Sequence, residues 1–146
     1  MFEARPYLPF DVFLAAAEGA DAPRHLLPEM DFAFRAAPLA WSFAAARRVR
    51  GCAAILPHES GAYLTAVVGA IAPRGWAWIR AYARRALDAL QAESDAYARL
   101  EATVEADRAD HLNFIRALGF EISPASDFEA LGRRFIVAER RKGPAL

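Results

Sequence analysis

The chain has 146 residues, 55% of them hydrophobic, with 18 basic and 18 acidic side chains balancing to a formal net charge of zero. That length and apolar content suit one folded domain over residues 1–146 and exclude a disordered chain, while the lack of a basic excess argues against nucleic acid as a partner. Cys52 is the single cysteine, so neither an internal disulfide nor a multi-cysteine metal site is available.

Cys52 sits in an apolar run, where a small buried side chain is the expected reading. No apolar segment reaches membrane-spanning length, and MFEARPYLPFD lacks a basic region followed by an apolar block. No membrane partner is expected, and the cytoplasm is the expected compartment. The histidines are dispersed without close His/Asp spacing, so no metal site is expected.

Phe2 to Tyr7 reads as a first strand, punctuated by Pro6 and Pro9. Asp11 to Glu18 is helical in composition and ends at Gly19. A second helix starts at Pro28, a residue suited to a first helical turn, with Leu27, Met30, Phe34 and Ala37 apolar and Pro38 as its stop. The period then changes to that of strands: Ala40–Arg47, Cys52–Leu56 and Ala62–Val68, an antiparallel meander. Its turns are placed at Arg50-Gly51 and at Pro57 to Gly61. A loop from Gly69 to Gly75 leads to a long helix ending near Ala92, whose apolar stripe runs through Trp76, Ile79, Tyr82 or Ala83, Ala86, Leu87 and Leu90. Arg80, Arg84, Arg85 and Asp88 are left facing water.

Leu100 to Phe120 carries the densest information. Leu100, Ala102 and Val104 alternate with Arg99, Glu101, Thr103 and Glu105, as on a strand with one buried face. Asp107 is placed to cap a helix with Asp110 in its first turn. Leu112, Ile115 and Leu118 form the buried stripe, and Gly119 is the left-handed stop before Phe120. A polar loop over Pro124–Leu131, a last strand over Gly132–Glu139 and a basic tail of Arg140, Arg141 and Lys142 complete the chain. The expected core is Trp41, Phe43, Ile55, Leu64, Val67, Ile79, Leu87, Leu100, Ala102, Val104, Leu112, Ile115 and Phe120.

A strand, a three-turn helix and an abrupt Gly-Phe resemble the penultimate strand and helix of the GNAT acyltransferases, and the element order resembles that fold from the first helix onward. The resemblance implies an α/β sandwich: a mixed, mostly antiparallel central sheet flanked by helices, with parallel central strands at Val67 and Leu100 that splay apart. It also implies acetyl-CoA as co-substrate, an amine acceptor of unknown identity and no metal. The segments HLNFIRALGF, AYLTAVV and GRRFIVAER are similar to divergent GNAT-like proteins of tailed phages and prophages. That implies a possible protein partner or phage particle, in the host cytoplasm or virion.

The family's diphosphate loop reads Arg or Gln, two residues, Gly, any residue, then Gly or Ala. Arg74-Gly75-x-Ala77 matches its end, while Ala72 and Pro73 stand where the first cation would fall. The resemblance therefore implies cofactor contacts from Val67, Val68, Arg74, Gly75, Trp76 and Ala77, with the diphosphate at the amides of Gly75 to Trp78. The family's helix motif, Asn-x-x-Ala-x-x-x-Tyr, aligns Arg108 with Asn and Ile115 with the Tyr that often protonates the thiolate. Arg108 joins the cofactor candidates, and the usual proton donor is replaced by an aliphatic side chain.

Three side chains are candidates for proton transfer. Histidine is the residue type suited to proton transfer near neutral pH, and His111 lies in a helix's first turn. Glu101 flanks the expected cleft, although strand carboxylates are usually exposed charges. Tyr63, with Thr65, would line the acceptor side, where packing is an equally good role. Two functions stand side by side: an N-acyltransferase with a divergent site, or a GNAT fold that has lost catalysis and acts as a binding or structural protein.

Overall fold

In the computed structural model, residues 1–19, 22–59, 61–123, 127–130 and 132–143 are described. Ser60, Pro124–Ser126 and Leu131, part of the expected turn and polar loop, lie outside the described residues. The elements are β1 (Phe2–Pro6), α1 (Asp11–Ala17), α2 (Leu27–Ala36), β2 (Leu39–Ala45), β3 (Arg48–His58), β4 (Gly61–Val68) and α3 (Pro73–Glu93). After these come β5 (Arg99–Glu105), α4 (Ala109–Ala117), β6 (Glu121–Ile122), β7 (Phe128–Ala130) and β8 (Arg133–Arg141). The strands form one sheet in the order β1-β2-β3-β4-β5-β8-β6, with β7 also paired to β8.

The pairings β1–β2, β2–β3, β5–β8, β6–β8 and β7–β8 are antiparallel. The expected parallel pair is present: β4 runs beside β5 with Ala62, Tyr63 and Leu64 opposite Leu100, Glu101 and Ala102. Among the described residues no helix is long and apolar enough to cross a membrane.

Contacts group the chain into two compact units, Met1–Leu56 with Thr65–Ile79 and Pro57–Leu64 with Arg80–Leu146. In the first, the β2–β3 turn falls at Ala46 and Arg47, not at Arg50-Gly51. Both turn residues are left-handed, with φ of 51° and 66°, the backbone a two-residue hairpin requires to match strand twist. Neither residue type advertises such a turn. Arg50 is instead the extra residue of a β-bulge, since Phe43 pairs with Gly51 and Ala44 with Val49.

Two buried carboxylates organise this unit, and neither was singled out by sequence. Asp11, 2% exposed, accepts hydrogen bonds from Arg5 Nη1 (2.7 Å), Ser42 Oγ (2.6 Å) and the Leu8 amide (2.8 Å). Asp31 accepts from Tyr7 Oη (2.6 Å) and the Phe10 amide (2.8 Å) and pairs with Arg35 at 2.6 Å. Burial pushes both carboxyls up, but these bonds together outweigh it and hold each below its ordinary value. The Tyr7 phenol is pushed up, by burial first and by Asp31 second. Val12, Ala15, Leu27, Phe34, Val49, Cys52, Ala54 and Val67 close the apolar cluster around the same elements.

In the second unit β5 alternates as expected, with Leu100, Ala102 and Val104 buried. The helix α4 opens at Arg108 with no side-chain cap, so Asp107 does not cap it. Its end is as expected: Gly119 has φ 92°, and the Phe120 amide reaches back to Ile115 O at 3.2 Å, the long bond of a glycine-terminated helix. Arg140 is not in a tail. It lies in β8 at 8% exposure, donates to Leu118 O at 2.8 Å and bonds to Gln91 and Asp88 of α3. Gln91 donates in turn to Arg140 O at 2.9 Å and Tyr97 O at 3.0 Å. Phe128–Ala130 is a strand where a loop was expected, because it pairs with β8 and stacks Phe128 on Phe135 at 5.6 Å. Of the expected core, Trp41, Leu64 and Leu112 are half-buried and the other positions are buried.

Asp11→Ala should destabilise the protein by about 3 kcal/mol in denaturant titrations, the cost of orphaning buried partners. Because the folded-state values of Asp11 and Asp31 are depressed, their stabilisation is present above the unfolded carboxylate value of about 3.9 and is lost as pH falls through the lower folded values. Asp11→Asn should flatten that acid limb of the stability curve.

Candidate functional site

Six cofactor candidates, Val67, Val68, Arg74, Gly75, Trp76 and Ala77, lie where β4 ends and α3 begins, and the seventh, Arg108, lies apart from them at the start of α4. Val67 is buried and Val68 half-buried. The chain then turns over Glu18 and Arg50: the Gly69 amide donates to Arg50 O at 2.7 Å and the Ala70 amide to Glu18 O at 3.1 Å. A side chain at Gly69 would meet Glu18 O at 2.9 Å and Arg50 O at 3.1 Å, which is why β4 stops in a glycine.

Helix α3 opens at Pro73, two residues before the expected loop ends, placing Arg74, Gly75, Trp76 and Ala77 in its first turn and a half. Pro73 has no N–H, and the Trp76 amide is taken by Ala72 O at 3.1 Å. The opening-turn amides of Arg74 and Gly75 are thus the ones without a carbonyl four residues back. Arg74 and Ala77 are exposed and Trp76 is half-buried. Gly75 faces inward: a Cβ there would lie 2.5 Å from Ile71 Cγ2 and 3.0 Å from Phe2 Cε1. The small residue is required by packing at that point, whatever it does for a ligand. Phe2, Phe43, Ile71 and Trp78 also line a crevice of about 10 Å³, room for a single water at most.

Tyr63 and Glu101 are direct partners in the parallel register, and Glu101 is opposite Glu139 across β5–β8. Directly paired residues project from the same sheet face, so phenol and carboxylates form one row. Arg99 lies two residues along on that face, opposite Arg141. Arg99 Nη1 meets Glu101 Oε1 at 2.5 Å, its Nε meets Glu139 Oε2 at 2.9 Å, and Arg141 Nε meets Glu139 Oε1 at 2.9 Å. Hydrogen bonds from Arg141 and then Arg99 hold the Glu139 carboxyl below its usual range. Burial lowers Arg99, but its bonds to Glu139 and Glu101 outweigh that and raise it. Glu101 is therefore a half-buried carboxylate locked into an ion-pair lattice, not a free surface charge. Arg99, Glu139 and Arg141 were missed because the pairing of β5 with β8 is invisible in local sequence.

At the start of α4, Arg108 Nη2 meets His111 Nε2 at 2.9 Å and Asp110 Oδ2 at 3.2 Å. The Asp110 carboxyl is lowered, first by Arg108. His111 and Arg108 are thus brought together, with His111 44% exposed in its side chain. Ile115 is core at 8% exposure. Cys52, fully buried, has its thiol pushed up to about 12, by burial above all, and is inert as a nucleophile. Among the described residues no three His, Cys, Asp or Glu side chains gather as a metal site.

No family model and no curated protein matches the chain. Solved structures do. The ribosomal-protein-S18-alanine N-acetyltransferase of Escherichia coli superposes with a TM-score of 0.73 at 16% identity, covering 99% of this chain and 96% of its own. A GNAT-family acetyltransferase of Streptococcus pneumoniae gives 0.71 at 16% identity, over 98% and 100%. A Bacillus subtilis acetyltransferase in complex with CoA gives 0.64 at 11% identity, over 96% and 97%. The fold is the GNAT fold: a mixed, mostly antiparallel sheet with one parallel pair, flanked by helices.

Gly75→Ala should lower stability by about 1–3 kcal/mol, the usual cost of overpacking. Trimming the opposing side chain in a Gly75→Ala, Ile71→Ala double variant should recover part of it; thermal melts that show strict additivity would contradict the packing role.

Proposed function

We propose that this chain is an acyl-CoA-dependent N-acyltransferase of the GNAT superfamily that moves an acetyl group to an amine. The observation that carries the reading is the short parallel register. β4 has eight residues, and among the described residues Ala62 to Leu64 are the ones that pair with β5, as in a fold whose central parallel strands part. In this reading the pantetheine chain follows Val67 and Val68, and the diphosphate meets the opening turn of α3 through the Arg74 and Gly75 amides and the Arg74 guanidinium, with Trp76 and Ala77 beside it.

The chemistry asked of the chain is modest. The acceptor ammonium loses a proton to a base, the amine nitrogen attacks the thioester carbonyl carbon, and the C–S bond of the tetrahedral intermediate breaks; the second proton of the attacking nitrogen goes to solvent and the departing sulfur is protonated to CoA thiol. Glu101 is the candidate base and Tyr63 the group beside it that orients the acceptor. His111 is the candidate donor to sulfur, because Ile115 stands where the family's Tyr would be. A thiol with a pKa of about 8.5 is a fair leaving group even unaided, so the isoleucine slows turnover without forbidding it.

A second reading, a GNAT fold that has lost catalysis and binds a host protein or a phage particle, is favoured by the same Ile115 and by the Gly75 face packed on Phe2 and Ile71. Acetyl-CoA separates the two. A ligand held by the native state at a hundred times its Kd adds about 2.7 kcal/mol, so the melting temperature should rise by several degrees. An unmoved melting temperature at millimolar acetyl-CoA sinks the enzyme reading. With turnover measured as thiol release, His111→Ala should lower kcat by roughly 10²–10⁴-fold, the range for a lost general acid.

A further inference from the structure

We infer that the acceptor is a small amino-acid-type zwitterion, its ammonium taken by Glu101 and its carboxylate by Arg141. This rests on the acyltransferase reading and names the class of amine that reading leaves open.

Arg99, Glu101, Glu139 and Arg141 occupy two adjacent rows on one sheet face, Arg99 opposite Arg141 and Glu101 opposite Glu139. Glu121 joins the same row opposite Glu139, so this plaque holds two guanidinium and three carboxylate groups, which suits no polyanion. Its internal pairing is incomplete. A guanidinium has five N–H donors in a planar fork. Among the described residues Arg141 engages only its Nε, with Glu139 at 2.9 Å, leaving both terminal nitrogens as the fork that takes a carboxylate in bidentate fashion. Among the described residues the ion-pair partner of Glu101 is Arg99, which meets Oε1 at 2.5 Å; Oε2 is the oxygen assigned to the ammonium.

The two open groups are diagonal neighbours across β5–β8, a spacing of about 7–8 Å at the backbone. That is within reach of a compound whose two charges are one to three carbons apart, given the length of the side chains. Their exposures differ in the useful direction. Glu101 is 23% exposed and Arg141 70% exposed, so the amine is drawn inward and the carboxylate stays at the rim. Glu101 is also opposite Tyr63, one residue before the parallel pairing ends, where the reacting amine is needed. Glu139, bonded by both arginines, fixes the fork and is a positioning residue.

Thiol release with saturating acetyl-CoA should be compared within matched pairs that differ by one carboxylate: glycine against methylamine, β-alanine against ethylamine, γ-aminobutyrate against propylamine, with spermidine as the polycation. At least one amino acid should exceed its amine in kcat/KM by about tenfold, the scale of a partly solvated charged hydrogen-bond pair. Arg141→Gln should collapse that ratio towards one, and Arg141→Lys, which keeps charge but not the fork, should restore part of it. Equal kcat/KM within every pair, a preference for spermidine, or a preference that survives Arg141→Gln overturns the inference while leaving an acyltransferase standing. If acetyl-CoA neither shifts the melting temperature nor yields thiol with any amine, the enzyme reading itself has failed. Calorimetric titration of the three amino acids into the CoA-free protein then decides the plaque: saturable binding lost in Arg141→Gln supports it, and no heat overturns it.

Discussion

The parallel alignment of β4 with β5 constrains everything downstream of it. Parallel neighbours cannot be joined by a hairpin, because the chain must travel back the full length of the first strand before starting the second. β4 has eight residues, about 26 Å of extended chain, and α3 has 21, about 31 Å of helix. A helix of that length is what the crossover needs. Its opening turn is thereby delivered next to the end of β4, and its far end must be fastened where β5 starts. Gln91 and Arg140 provide that fastening within the second unit, tying the last turns of α3 to the backbone at Tyr97 and to β8.

Buried charge recurs as the joining device in both units, and in each case it is fully satisfied. Asp11 ties β1, α1 and β2; Asp31 ties α2 to Tyr7 and Phe10; Arg140 ties β8, α3 and the end of α4. No buried side-chain nitrogen or oxygen among the described residues lacks a partner. Breaking one partner would leave its mate desolvated and unpaired, which costs more than the pair contributes. Such groups fix which elements meet, while the apolar residues around them supply most of the burial energy.

The two faces of β5 divide the labour. Leu100, Ala102 and Val104 are buried, and Arg99, Glu101 and Glu105 are ion-paired on the opposite face. The charged face of β5 leaves a polar surface next to the point where its pairing with β4 ends. The half-buried Glu101 is held there by Arg99.

Period and punctuation alone set much of this architecture. The 2-residue alternation of β5, the stripe of α3 and the Gly119 stop depend on neighbours within a few residues, so the helices and most of the core were legible in the chain, while the parallel crossover came only with the resemblance to the GNAT fold. Positions that only a distant partner decides were not. Ala46 and Arg47 accept left-handed backbone because β2 and β3 must meet there; Arg140 is buried because Gln91 and Leu118 O await it; Phe128 joins a strand because β8 offers an edge. The same holds at the candidate site. Glu101, Tyr63 and His111 could be named by residue type and place on an element, but the lattice of Arg99, Glu139 and Arg141 around Glu101 exists only once β5 and β8 are in register. Pairing across 40 residues is a property of the folded chain, since no local sequence term encodes which strand lies alongside another.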